Sequence, residues 1–238
     1  MKAIAEAAHK KGCKIGVDLA HSIGNVFPNL HQDEINFTVW CHYKYLNAGP
    51  GAIAGLFVHE KHHQNPSIPI LAGWWGHNKT MRFDMASEYS AIPTVEKWQQ
   101  SNPPIWQLAS LRASLEIFES VDLKELREKS IRLTHYLEKL IDELLPDDVE
   151  IITPRDPEQR GSQLSLKVKA GAKASVEDWM HKNEGIICDS RGEIIRVAPA
   201  ALYNTYEDVA RFVYALRKFC KTHQLEHQQD KLELRARL

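Results

Sequence analysis

KIGVDLAHSIGN (14–25) and WCHYKYLNAGPGAIAG (40–55) decide how this chain is read. The first stretch is a short apolar strand with Asp18 near its C-terminal end and His21 close behind. The second is a strand running into a loop, apolar and aromatic except for Lys44, with Gly49 and Gly51 after it. A carboxylate at the C-terminal end of a strand in an α/β sheet lies where ligands bind. It also suits a helix N-cap, which needs no ligand. A lysine in such surroundings is desolvated, and desolvation lowers an amine's pKa and makes it a nucleophile. The alternative is a packed stem whose ammonium reaches solvent.

Working outward, residues 1–11 give a weak helical face through Ile4, Ala5 and Ala8, which Gly12 ends. That helix has no capping residue ahead of it. NFTVWCHYKYL (36–46) and AIAGLFVH (52–59) read as two further strands, so the first region is α/β and parallel-sheet-like. A loop-rich stretch with five prolines and three tryptophans runs from about Glu60 to Pro104. After it, leucines at spacings of three and four predict a helix through Leu108, Leu111, Leu115 and Phe118. A second helix starts near Asp122 and a third after a Thr205/Asp208 capping box. VEIIT (149–153), SQLSLKVK (162–169) and GEIIRVAP (192–199) read as strands, and SVEDWMHKN (175–183) as a helix stopped near Gly185. The expected domains are 1–105, part of a large domain, and 106–238, a smaller α+β unit. The tail from about Thr222 is polar and is expected to fray or lie on the surface.

Composition sets the class. With 30 Lys+Arg against 31 Asp+Glu the net charge is −1, so the chain lacks the positive field of a nucleic-acid binder. No apolar run is long enough for a membrane span, and the start is unlike a secretory signal. Four scattered cysteines form no CxxC pair, which fits reduced thiols and a cytoplasmic location. The His59–His63 run resembles a metal site only in spacing; no third ligand accompanies it, so no metal is expected and a solvated cluster is the alternative.

Taken together, Asp18 and Lys44 suit pyridoxal 5'-phosphate. The lysine forms a Schiff base, and the carboxylate keeps the pyridinium nitrogen protonated so that the ring acts as an electron sink. At this point DLAHSIGN (18–25), HYKYLNAGPG (42–51), AGWWGH (72–77), SNPPIWQLASLRASLEIF (101–118) and IRVAPAALYN (195–204) carry a resemblance to the kynureninase family, from near residue 10 to about 219. The resemblance implies the aspartate aminotransferase fold, fold type I of the pyridoxal-phosphate enzymes. It also implies a homodimer that hydrolyses L-kynurenine or 3-hydroxykynurenine to an anthranilate and L-alanine, in tryptophan catabolism and NAD biosynthesis.

The resemblance further implies roles. Lys44 would be the Schiff-base lysine and the base for the Cα proton, and Asp18 the partner of the pyridine nitrogen. His21 would lie beside the ring, and Tyr43 would reach the phosphate. Trp74 and Asn102 would make cofactor and substrate contacts shared across the dimer. Trp75 and His77 would line the aromatic pocket together with Asn102. Arg196 would clamp the substrate carboxylate. Read without the family, Trp74 and Trp75 could be core and Arg196 a strand surface charge. The family's phosphate loop and ring-stacking aromatic lie upstream of the Asp18 strand. The chain is therefore expected to be a C-terminal half, whose partial sheet exposes edges and an apolar face. Two other readings stay open: a catalytically dead fragment acting as an interaction module, and another fold-type I enzyme, such as a cysteine desulfurase or class V aminotransferase.

Overall fold

Two glycines set the geometry of the first sheet. A Cβ on Gly16 would lie 2.2 Å from the Phe37 ring, and one on Gly55 would lie 2.5 Å from the Trp40 ring. Each ring lies flat over the neighbouring strand because that strand offers no side chain there. The strands are β1 (Gly16–Asp18), β2 (Phe37–Cys41) and β3 (Ala54–Val58), in the order β1-β2-β3. In this computed structural model, which describes residues 1–169 and 175–236, β1 runs parallel to β2 with Asp18 opposite Val39. β3 is antiparallel to β2, so the expected parallel sheet is mixed. Thr38 is buried on one face, whereas Phe37, Val39 and Leu56 are 46%, 51% and 45% exposed. The expected uncovered apolar face is therefore present, on the side away from Thr38.

Helix α1 (Lys2–Lys10) has no side-chain cap at Met1 and buries only Ala5. Its His9 is tied to the sheet through Asn36, which is 2% exposed. Asn36 Oδ1 accepts from Ile15 N at 2.7 Å and from His9 Nε2 at 3.0 Å, while its Nδ2 donates to His62 Nε2 at 2.8 Å. His62 Nε2 must then be an acceptor, so this imidazole is neutral. Burial, with nearby Lys14 and Lys61, holds its pKa below the usual histidine value.

Described separately by their contacts, the chain forms two compact units, Met1–Ser120 and Val121–Leu238. The division falls at 120/121, where the sequence reading placed the domain boundary at 105/106. Helix α2 (Ile105–Glu119) belongs to the first unit, where its buried Ser114 hydroxyl donates to the Leu46 carbonyl.

The second unit follows the sequence pattern closely. Asp122 caps α3 (Leu123–Leu144), accepting from Lys124 N at 2.7 Å and Glu125 N at 3.2 Å. β4 (Val149–Ile151), β5 (Leu164–Val168), β6 (Asp189–Arg191) and β7 (Ile194–Val197) form an antiparallel sheet in the order β4-β5-β7-β6. Strand β6 is too short to leave a period-2 signal and was not expected. α4 (Val176–Glu184) ends at Gly185, whose φ of 63° is left-handed. The Thr205 hydroxyl accepts from Asp208 N, and the Asp208 carboxylate from Thr205 N, as a capping box requires. α5 (Tyr206–Ala236) continues as helix well past Thr222, where the chain was expected to fray or lie on the surface; residues 237–238 lie outside those described. Leu133, Leu137, Leu164, Leu166, Met180, Val213, Leu216 and Phe219 are all fully buried between the helices and the sheet. Among the described residues no helix is long and apolar enough to cross a membrane.

Candidate active site

Because β1 and β2 are parallel, the residues that follow them leave at the same end of the sheet. Leu19 N donates to the Val39 carbonyl at 2.9 Å, which carries the pairing one step beyond β1. The next turns pack together: a Cβ on Gly24 would lie 2.9 Å from the Tyr45 backbone, and the His21 ring meets the Tyr45 ring edge-on at 6.4 Å. This brings Asp18 and His21 to the same sheet end as Tyr43 and Lys44.

Asp18 is exposed. Its Oδ1 accepts from Ala20 N at 2.8 Å, an Asx turn rather than a helix N-cap, since residues 20–25 form turns. Lys44 is half-buried, with Nζ 5.7 Å from the centroid of the exposed Tyr43 ring, between the desolvated amine and the solvent-reaching ammonium that its sequence context allows. The neighbouring aromatics turn to other partners. Trp40 Nε1 donates to His42 Nε2 at 2.8 Å, and Tyr45 meets His21.

Trp74, Trp75 and His77 come together in the long loop. Gly73 and Gly76 let it approach the 97–100 backbone so closely that a Cβ would lie 2.2 Å from Gln100 Cα or 2.6 Å from the Lys97 carbonyl. His77 Nδ1 accepts from Ser90 N at 3.2 Å, so the neutral ring carries its hydrogen on Nε2. Trp74 is 48% exposed, Trp75 half-buried, and Asn102 exposed just ahead of α2. Sequence reading missed Arg82, whose guanidinium carbon lies 4.8 Å from each of the two indole centroids.

In the second unit Arg196 lines a cavity of about 350 Å³ with Cys188, Asn204, Asp208 and Arg211. Its guanidinium pairs with Asp189, the residue directly opposite on β6, and its Nε is buried without a hydrogen-bond partner. Asp189 left no signal in the sequence because the strand that carries it left none. Arg160 is structural: it forks onto buried Glu138 at 2.8 and 2.6 Å.

The histidine run is not the solvated cluster expected. His59 and His62 are buried, His63 Nε2 donates to the Val58 carbonyl at 2.9 Å, and His62 joins Asn36. Among the described residues no three His, Cys, Asp or Glu side chains are grouped to hold a metal ion. Burial raises the Cys188 thiol, helped by Glu177, and pushes Cys220 up to about 12.

The α/β architecture of the chain is that of the fold-type I enzymes. A cysteine desulfurase from Thermococcus onnurineus NA1 has this fold, with a TM-score of 0.74 at 19% identity, covering 93% of this chain and 56% of that one. More particularly, residues 126–216 match the kynureninase C-terminal domain. The chain is 54% identical over 217 residues to a kynureninase from Myxococcus xanthus, covering 91% of this chain and 50% of the relative. It is 48% identical to one from Stenotrophomonas maltophilia, covering 90% and 51%. The chain thus resembles kynureninases along about nine tenths of its own length and spans about half the length of the curated relatives it matches.

Proposed function

We propose that this chain supplies the lysine-bearing part of a kynureninase, which hydrolyses L-kynurenine or 3-hydroxykynurenine to the matching anthranilate and L-alanine. The observation that carries this reading is the arrival of Lys44 and Asp18 at one end of a parallel strand pair.

The donor set fits pyridoxal phosphate. An accessible amine suits its aldehyde, and an accessible carboxylate, fixed through one oxygen by Ala20 N, suits its pyridinium N–H. Bound there, the cofactor supplies a conjugated ring that draws electrons from an attached carbon. Lys44 Nζ would hold the cofactor covalently and, once displaced by the substrate amine, would serve as the base for the substrate Cα proton. Asp18 keeps the pyridine nitrogen protonated. His21 would border the ring, and the Tyr43 hydroxyl would donate to a phosphate oxygen. Arg196 binds the substrate carboxylate with the fork it now turns to Asp189. Trp75 and His77 wall the aryl group, and Trp74 and Asn102 contribute across a homodimer interface.

The test is a titration of the full chain with pyridoxal phosphate, read by visible absorbance, followed by kynurenine turnover read by anthranilate fluorescence. A visible band absent from Lys44→Ala supports the reading. No band at saturating cofactor favours a second reading, an interaction module, for which the open face of Phe37, Val39 and Leu56 speaks.

A further inference from the structure

The loop carrying Trp74 and Trp75 leaves large apolar side chains in solvent: Leu71, Phe83 and Met85 are 78%, 79% and 91% exposed. Burial therefore does not explain how two adjacent indoles are held in one attitude. Three-residue helical turn Trp74–Gly76 fixes their backbone, and the rings stand 5.9 Å apart at 54°.

Arg82 returns to this pair from further along the loop. Its guanidinium carbon is 4.8 Å from both ring centroids, within cation–π range of each. Its Nη2 donates to the Trp75 carbonyl at 2.8 Å and to the His77 carbonyl at 3.4 Å. One planar group thus touches both indoles and the backbone on either side of Gly76. Arg82 Nε is buried with no hydrogen-bond partner. A guanidinium serving only as a surface charge would turn that donor to water, so the stacked arrangement is held against a desolvation cost. Lysine offers neither the plane nor the fork.

We propose that Arg82 is a positioning residue: seated against both Trp74 and Trp75, it sets the attitude of both indoles and of His77 towards an aromatic ligand. The ligand half of this statement rests on the reading of Trp75 and His77 as the wall of the aryl pocket. The hold on the indoles does not.

The experiment compares the full chain with Arg82→Met and Arg82→Lys by near-UV circular dichroism and by equilibrium binding of 2-aminobenzoate. Trp74→Phe and Trp75→Phe assign the spectrum. The expected result is a coupled-indole band lost in either tryptophan variant and in Arg82→Met, and partly kept in Arg82→Lys, with unchanged far-UV ellipticity. The dissociation constant for 2-aminobenzoate rises about tenfold in Arg82→Met and about threefold in Arg82→Lys. A band and an affinity unchanged in Arg82→Met overturn the proposal. So does a band lost only in step with far-UV ellipticity in both variants, which marks a purely structural arginine. If the unsubstituted chain does not bind 2-aminobenzoate but Arg82→Met loses the band, the substrate reading falls and the hold of Arg82 on the indoles is supported.

Discussion

The two units solve different problems. The second closes on itself: its core leucines are fully buried, its helices are capped by side chains at Asp122, Ser175 and Thr205, and a carboxylate–guanidinium pair sits inside it. The first holds most of the candidate chemistry yet leaves one sheet face open, and its helix α1 starts uncapped. Stability and reactivity are carried by separate parts of the chain. Residues that a finished core would bury remain accessible in the first unit, Lys44 and Asp18 among them.

The sharpest test of this contrast is chemical. Lys44→Ala should remove all visible absorbance formed with pyridoxal phosphate while leaving the melting of the second unit unchanged. Next in size are substitutions inside the second unit. Leu137→Ala or Phe219→Ala should cost about 3–5 kcal/mol in denaturant unfolding. Val39→Ser, on the open face of the first unit, should stay within about 0.5 kcal/mol; a large loss there would mean that the face is covered in solution. Glu138→Ala leaves Arg160 charged and buried, and should cost about 3–5 kcal/mol by the same measurement.

The smallest expected effect is a pH dependence of the first unit. His62 has a folded pKa below its unfolded value of 6.5. The unfolded chain therefore binds the proton first as pH falls, so the stabilisation is complete above 6.5 and is lost towards the folded pKa. Thermal midpoints should fall below pH 6.5 in the unsubstituted chain and flatten in His62→Gln.

Much of this was legible in the sequence, for physical reasons. The helices of the second unit announce themselves because one face of each is buried at helical spacing, and Asp122, Thr205 and Gly185 mark their ends. Asp18 and Lys44 stand out as charges in apolar strands. What was not legible depends on partners far away in the chain. The exposure of Lys44 is set by where Trp40 and Tyr45 turn, and the role of Arg82 by a loop that closes back on the tryptophans. The pairing of Arg196 with Asp189 follows from a register that three residues of strand do not advertise. The histidine run misled because its surroundings, not its spacing, decide burial.

The amide of Asn36 has one more consequence, for the order of assembly. Its three partners, His9, Ile15 and His62, lie in α1, ahead of β1 and beyond β3. Asn36 lies 27, 21 and 26 residues from these partners, so the complete hub closes only once the segments from α1 to beyond β3 are in place. Contacts of such sequence separation form late, after the loop entropy of every intervening segment has been spent. Asn36 thus acts as a latch on the finished sheet, and hydrogen exchange at Ile15 N should report the completion of the first unit rather than its beginning.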